Sequence, residues 1–590
     1  MFNQEKIRNV AIIAHVDHGK TTLVDQLFKQ SGMFRSNQVV AERLMDSMDL
    51  ERERGITIKS KNGACHYKDY LINIIDTPGH ADFGGEVERV LNMADGAIFL
   101  VDAAEGPMPQ SYFVLKKAIA RDLPVIVLVN KIDKSAARCD WVVDQVFDLM
   151  VKLNAPDHIL DFPVLFASAR EGFASHSYTE KTDSLTPLFD AIIKKVPAPS
   201  GDLNGPLQLL VSTLSYSTFL GRLAVGKVTS GQLKPNQMVA LYANDTLKGT
   251  ARITKIFHFD CDKQIETPDA TTGDIVAVSG LEAVRVGDTI TDSQNPIPLK
   301  GIAVDPPTVA MTFLANTSPF SGQEGEYVTS NHLKDRLHRE MLTDVAMMVE
   351  DLPGEAGFKV SGRGELHLAI FIEKIRREGY EFQVSRPTVI FKEENGQKME
   401  PYEEVTIDVS EDYMGKVIES LGTRKGQLLD MSQHSGMVRL KYKIPTRGLL
   451  GYRADFMTET KGMGVFNYVF YGYGPFVGDI RMRKNGVMIS KDQCTTVAYA
   501  LANLQERGRL FLGAGIPVYE GQIIGEHARE DDLVVNPGKA KKQSNVRASG
   551  TDDAISLTPH VQLSLEQYLA YISDNELVEV TPKSIRLRKV

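Results

Sequence analysis

The sequence predicts a multidomain α/β protein that opens on a doubly wound, mostly parallel sheet. Two patterns carry that expectation. Residues 10–13, 71–75, 97–101, 125–129 and 164–167 are apolar runs too short for helices and without the alternation of a half-solvated strand, so they read as strands buried on both faces. Between them, 86–93, 110–120 and 141–153 place apolar residues at helical spacing, which yields strand–helix–strand units. Further on, around 221–228 and 273–278, short strands with frequent turns replace that rhythm and predict a small β-barrel. At 590 residues the chain is too long for one core; roughly four or five domains are expected.

Composition narrows the class. With 43% hydrophobic and 24% charged residues, and no apolar run near the ~18 residues that span a bilayer, the chain reads as globular, with no membrane partner. Met1-Phe2-Asn3-Gln4-Glu5-Lys6 leads almost at once into a strand and leaves no room for the apolar core of a signal peptide, so a cytoplasmic protein is expected. The cysteines, Cys65, Cys139, Cys261 and Cys494, are too widely spaced for a zinc site or a disulfide framework. A net charge of -9 argues against a uniformly basic nucleic-acid coat. Any RNA contact must be local, at Arg376-Arg377, at Arg481, Arg483 and Lys484, at Lys539, Lys541, Lys542 and Arg547, or at Lys583, Arg586, Arg588 and Lys589. Taken singly, each cluster reads as a solvated face.

The apolar runs end in polar motifs, where a doubly wound sheet binds its ligand. The first leads into Ala14-His15-Val16-Asp17-His18-Gly19-Lys20-Thr21, a loop whose backbone N–H groups and following helix N-terminus cradle phosphate oxygens. Lys20 is placed to reach the β- and γ-phosphates, and the Thr21 hydroxyl to ligate Mg2+. Ala14 stands where the pattern has Gly, a departure without Gly's access to positive φ. The second run ends in Asp76-Thr77-Pro78-Gly79-His80. A carboxylate ending a buried strand is costly unless it holds a metal or water, which assigns Asp76 to Mg2+ through water. Gly79 then offers its N–H to the γ-phosphate, and His80 is the catalytic candidate, orienting or polarising the attacking water.

Another run ends in Asn130-Lys131-Ile132-Asp133. A carboxylate there accepts from guanine N1–H and the exocyclic amine together, a donor pair that adenine lacks. Ser168-Ala169 adds a hydroxyl and backbone contacts to the base edge. The charged stretch 49–58 ends in Gly55-Ile56-Thr57-Ile58 and suits a segment ordered by nucleotide, with Thr57 as the second Mg2+ ligand. The candidate GTP site is Asp17, His18, Gly19, Lys20, Thr21, Thr22, Gly79, Asn130, Lys131, Ile132, Asp133, Ser168 and Ala169, with Mg2+ on Thr21, Thr57 and, through water, Asp76.

Together these motifs resemble those of the translational GTPases, the class that includes the elongation factors. On that resemblance the chain divides into a P-loop GTPase domain (1–199), a β-barrel like the second domain of the elongation factors (200–303), an α/β sandwich like the third domain of elongation factor G (304–390), a second sandwich like its fifth (395–478), and a mixed, family-specific C-terminal domain that contacts RNA (479–590). Helices are expected around 331–345 and 495–508. The large fourth domain of elongation factor G has no room between the two sandwiches. That order is shared by the LepA and BipA (TypA) families; Thr21-Thr22-Leu23-Val24-Asp25, the stretch 81–89 (Ala81-Asp82-Phe83-Gly84-Gly85-Glu86-Val87-Glu88-Arg89), the stretch 140–148 and the closing 581–589 are similar to BipA.

The resemblance implies a monomeric, ribosome-associated GTPase. Its site would be the elongation-factor site of the 70S ribosome, its final domain would reach rRNA and the A-site tRNA, and it would assist large (50S) subunit assembly and translation under stress or cold. With no evident arginine finger, hydrolysis is expected to be slow alone and stimulated by the ribosome, which would set His80 against the water. The stretch 536–547 is polar and basic without apolar anchors, so Lys539, Lys541, Lys542 and Arg547 are the candidate RNA contacts. The alternatives are a LepA-like elongation factor and, from another class, a metabolic GTPase subunit of the sulfate-activating kind, against which the two sandwiches argue.

Overall fold

The structure is a computed structural model, and it describes residues 3–15, 17–31, 49–54, 61–78, 84–217, 220–261, 263–301, 307–341, 344, 346–353, 357–434, 437–462, 464–480, 483–540 and 556–590. Strand β1 (Ile7–Ala14) is buried at every residue, as are Gly96–Asp102 and Val125–Asn130, because helices cover both faces of the sheet they form. With β2 (Lys61–Tyr67), β3 (Tyr70–Asp76), β4 (Gly96–Asp102), β5 (Val125–Asn130), β6 (Val164–Ser168) and β7 (Phe173–Ser175), it makes a seven-stranded sheet in the order β2-β3-β1-β4-β5-β6-β7. Strands β3, β1, β4, β5 and β6 are parallel and the two edges antiparallel. The apolar runs are the centres of these strands. The helices span Gly84–Leu91, Pro109–Ala120 and Cys139–Lys152, the first displaced by two residues from its expected span. Among the described residues no helix is long and apolar enough to cross a membrane.

An antiparallel sheet of eight strands follows, from Gln208–Ser217 to Asp288–Asp292. It curls around Leu209, Val228, Val239, Ile256, Val278 and Ile290. Its other face lends Leu223, Val225, Phe257, Ile275 and Ala277 to one core of the parallel sheet. Polar pins fix the join: Asn9 Nδ2 donates to the Gly273 carbonyl at 3.0 Å and to Asp95 at 2.8 Å, and Lys227 pairs with Asp95 at 2.7 Å. Ala64 and Cys261 exchange backbone hydrogen bonds at 2.8 and 3.2 Å, so the barrel also bridges edge strand β2. All of this lies in one compact unit, residues 1–305 with 342–345.

Among the described residues the second unit holds a two-stranded sheet, Cys494–Thr495 with Pro517–Val518, and two large sheets. One has five strands, built on the long strand Gln397–Ser410, whose Val405, Ile407 and Val409 alternate into a core under helices Glu411–Thr423 and Tyr452–Glu459. The other has eleven strands. It starts with Val309–Ala315, Gly357–Gly362 and Phe382–Val384, then continues through Glu576–Val580 and Ile585–Lys589 into Gln522–His527 and Val487–Ser490. Segments 304–390 and 479–590, separate on sequence grounds, share this sheet and a core of Phe313, Leu368, Phe382, Leu569, Val580 and Leu587. Helix Ser330–Met341 begins one residue before its expected start, and helix Ala498–Gln505 is shorter than expected at both ends. A further helix, Leu565–Tyr571, is opened by a capping box between Ser564 and Gln567.

The terminal basic cluster is not a solvated face. Arg586 pairs with Glu324 at 2.6 Å and with fully buried Glu579 at 3.1 Å; Lys589 pairs with Glu576 and Asp532, both at 2.8 Å. Arg483 likewise pairs with Glu576 at 2.8 Å, and Arg376 and Arg377 with Glu373 at 3.0 and 2.9 Å. For Glu576 and Glu579, fully buried on a strand of this sheet, these cations offset charge that water cannot solvate.

Candidate nucleotide site

Strand β1 delivers the chain to a loop in which Asp17 (φ 65°) and Gly19 (φ 96°) are left-handed. Gly19 is the N-cap of helix α1 (Lys20–Gln30) and makes no side-chain cap hydrogen bond, so the first-turn N–H groups are left for an anion. A Cβ at Gly19 would run into the Asn130 amide, which makes glycine obligatory in two ways. Thr77 Oγ1 donates to the Ile12 carbonyl at 2.6 Å and ties the end of β3 to β1.

At the carboxyl ends of β5 and β6 the candidate base-recognition segments meet the loop. Asn130 Nδ2 donates to the His18 carbonyl at 2.8 Å, and Asn130 Oδ1 accepts from the Ala169 N–H at 2.9 Å. One amide therefore couples the phosphate loop to Ser168-Ala169. Lys131 Nζ reaches the Asp17 carbonyl. Ile132 N donates to the Ala167 carbonyl at 3.3 Å, while Asp133 is exposed. Ser168 is buried and its Oγ accepts from Glu171 N at 3.3 Å.

Lys20 is buried, 2.9 Å from Asp76 Oδ1, and also donates to the Thr77 carbonyl. Asp76 is buried too. The cost foreseen for a bare carboxylate here is met by a cation from the phosphate loop. Thr21 is half-buried and Thr22 exposed on the first turn of α1. Thr57, Gly79 and His80 lie outside the described residues, as do Lys541, Lys542 and Arg547; Lys539 is described and exposed.

One charged residue at this site went unnoticed in the sequence. Asp102 ends β4 with its carboxylate fully buried. Oδ2 receives Lys131 Nζ at 2.8 Å and Lys134 Nζ at 3.1 Å, and Oδ1 accepts from Ala104 N at 2.7 Å. Burial pushes this carboxyl up, but hydrogen bonds from Lys131, the Ala104 N–H and Lys134 outweigh it and hold its pKa down at about 2.

An uncapped helix start beside a lysine, joined by Asn130 to the Ser168-Ala169 turn with the exposed Asp133 carboxylate nearby in sequence, fits a guanine nucleotide. The fold and this site define a GTPase of the translational class: the family model "Elongation factor Tu GTP binding domain" matches residues 5–198, "Elongation factor Tu domain 2" residues 221–291, and "Elongation factor G C-terminus" residues 397–484. The chain belongs to the TypA/BipA family, since the "TypA/BipA C-terminal domain" model matches residues 485–590 and curated members align end to end. The Large ribosomal subunit assembly factor BipA of Escherichia coli is 53% identical over 99% of this chain and 97% of its own length. The protein of that name from Synechocystis sp. is 51% identical over 99% of this chain and 98% of its own length. A crystal structure of a Thermus thermophilus protein superimposes with a TM-score of 0.56 at 16% identity, covering 80% of this chain and 98% of the other, a likeness of fold.

Proposed function

We propose that this chain docks on the ribosome, hydrolyses GTP there and so assists assembly of the large ribosomal subunit, with RNA contacts made by its final domain. The observation that carries this proposal is the join made by Asn130 between the phosphate loop and Ala169, which leaves the Asp133 carboxylate exposed for a base. The relatives' name, large ribosomal subunit assembly factor, supports the ribosomal role. Lys20, now on Asp76, would exchange that carboxylate for phosphate oxygens. Thr21, Thr57 and, through water, Asp76 are hard oxygen donors suited to Mg2+, which when bound neutralises phosphate charge. Among the described residues no group of three or more His, Cys, Asp or Glu side chains makes a metal cage of its own, consistent with an ion held jointly by protein and nucleotide. In the same proposal the protein is a cytoplasmic monomer, and its RNA partners are rRNA and the A-site tRNA.

Pelleting with ribosomes and a non-hydrolysable GTP analogue tests the partner. The chain is expected in the pellet, and a chain that stays in the supernatant returns the metabolic GTPase. Replacing Lys539, Lys541, Lys542 and Arg547 by Ala is expected to weaken pelleting and flatten its salt dependence, as loss of phosphate contacts does, with GTP affinity intact. Equal pelleting of variant and parent would take that segment out of the interface. His80→Ala is expected to spare nucleotide binding but to lower the ribosome-stimulated rate by about 10²–10⁴-fold, the span of a positioned proton-transfer or water-orienting group. Single-turnover hydrolysis on ribosomes reads this; a normal stimulated rate would remove His80 from the chemistry.

A further inference from the structure

We infer that Asp102 is a positioning residue for guanine-nucleotide binding: its carboxylate fixes the Lys131 ammonium, so that base clamp and phosphate loop are set as one piece. The inference rests on the nucleotide-site assignment above and adds a residue to it.

Register places the group. Asp102 and Asn130 are partners across the parallel β4–β5 pair, so the Asp102 side chain stands one strand away from Lys131. The backbone after Asp102 turns back on itself: Gly106 N donates to the Asp102 carbonyl at 3.0 Å, and Ala103 N to the Asn130 carbonyl at 2.8 Å. That turn aims Ala104 N at Oδ1 and leaves Oδ2 for cations. A fully buried carboxylate has no water to fall back on and must keep its cations.

Two lysines share Oδ2, and they differ. Lys134 is the more exposed. Lys131 is left-handed at φ 64°, an uncommon conformation for a side-chain-bearing residue, and its ammonium touches both Asp102 and the Asp17 carbonyl of the phosphate loop. Lys131 is therefore the strut and Asp102 its footing. Without the carboxylate, the two neighbouring ammonium groups would repel each other, with Glu105 the remaining carboxylate that acts on both. The strut runs to the start of the phosphate loop and not to Lys20, so losing its footing should weaken GTP and GDP alike and leave turnover at saturation unchanged, which is the signature of uniform binding.

The test is a double-mutant cycle in the full-length chain, read by dissociation constants for fluorescent GDP and a GTP analogue together with saturating kcat. Asp102→Asn and Lys131→Met are each expected to weaken both nucleotides by about tenfold or more, the scale of one hydrogen bond to a charged group, and Asp102→Asn, which touches no nucleotide, to keep kcat within about twofold. The double variant is expected to be no weaker than the worse single by more than about twofold. Lys134→Met is expected to stay within about threefold, as a solvated partner should. Additive losses, or a Lys134→Met loss equal to that of Lys131→Met, would overturn the inference. Should Asp102→Asn fail to fold, the same cycle in the Lys134→Met background removes one of the two facing cations and keeps the coupling measurable. Asp133→Asn in parallel separates the two claims: if it leaves GTP affinity intact, the nucleotide-site assignment fails; if it weakens GTP while Asp102 and Lys131 act additively, only the strut fails.

Discussion

Replacing Asp133 by Asn is expected to weaken GTP and GDP by about 10²–10⁴-fold and to admit xanthosine nucleotides in their place. The sign follows from donors and acceptors. A carboxylate accepts from the guanine N1–H and the exocyclic amine at once, and each such charge-assisted hydrogen bond contributes about 1.5–3 kcal/mol. An Asn side chain has one acceptor and one amide donor, and the donor meets the guanine amine head-on. Xanthine carries a carbonyl at that position, so the same amide pairs with it. The rest of the clamp is indifferent to the swap, because Asn130 and Ala169 are tied to each other and to His18 through backbone atoms and a single amide. Competition binding with GDP and xanthosine diphosphate reads the switch, and equal loss of both nucleotides would mean that Asp133 holds the pocket's shape and not the base.

Why so much of this site was legible in the sequence has a physical reason. Phosphate loops, guanine clamps and metal-linked carboxylates act through residues close in sequence, each following a strand whose apolar run announces it. Asn130 reaches Ala169 and His18 only because β5 lies beside β6 and close to β1, and those strands were recognisable from their continuous apolarity. Asp102 ends a buried strand just as Asp76 does, and the cost of a bare buried carboxylate marks both. It was passed over because no motif follows it; its lysines come from beyond the next strand, and a contact at that separation leaves no local spacing to find. The roles of Thr57, Gly79 and His80 rest on motif position alone, since they lie outside the described residues.

The second unit was harder to foresee for a related reason. Glu576–Val580 is buried at every position yet carries two glutamates. With two charged residues among five it has no clean buried-strand signature, and Ile585–Lys589, with its three basic residues, reads as a solvated tail. Only the fold explains both: Phe382 pairs with Val580 and Val384 with Val578 across chain segments almost 200 residues apart, and closing the sheet there buries the glutamates against the tail's own cations. Charge read along the chain reports solvation only where the fold leaves it in solvent.

Arg586→Ala is therefore expected to destabilise this sheet by about 3 kcal/mol, the lower end of the cost of leaving a buried charge unpaired. Fully buried Glu579 would lose its cation but keep neutral donors, Ser318 Oγ at 2.8 Å, Asn316 Nδ2 at 3.1 Å and the Tyr519 hydroxyl. Glu324 would lose its 2.6 Å partner and keep Thr581 and Ser584. Amide hydrogen exchange in Glu576–Val580 and Ile585–Lys589, followed through denaturant, reads the loss locally in the full chain. Adding Glu579→Gln to Arg586→Ala removes the stranded charge and is expected to recover about half of it. The pH dependence has a definite sign. Burial pushes the Glu324 and Glu576 carboxyls up, but a hydrogen bond from Thr581 together with hydrogen bonding and charge from Arg586 on the first, and from Arg483 and Lys589 on the second, hold both below their ordinary value of 4.5. A depressed folded pKa contributes stability that is present above the unfolded value and lost as pH falls through the folded one, so the parent should loosen as the medium is acidified below 4.5. Arg586→Ala, with Glu324 freed to rise toward its ordinary value, should show a shallower acid loss from a lower starting stability. A loss near zero at neutral pH, with the acid slope unchanged, would return the tail to the surface where charge patterning alone had put it.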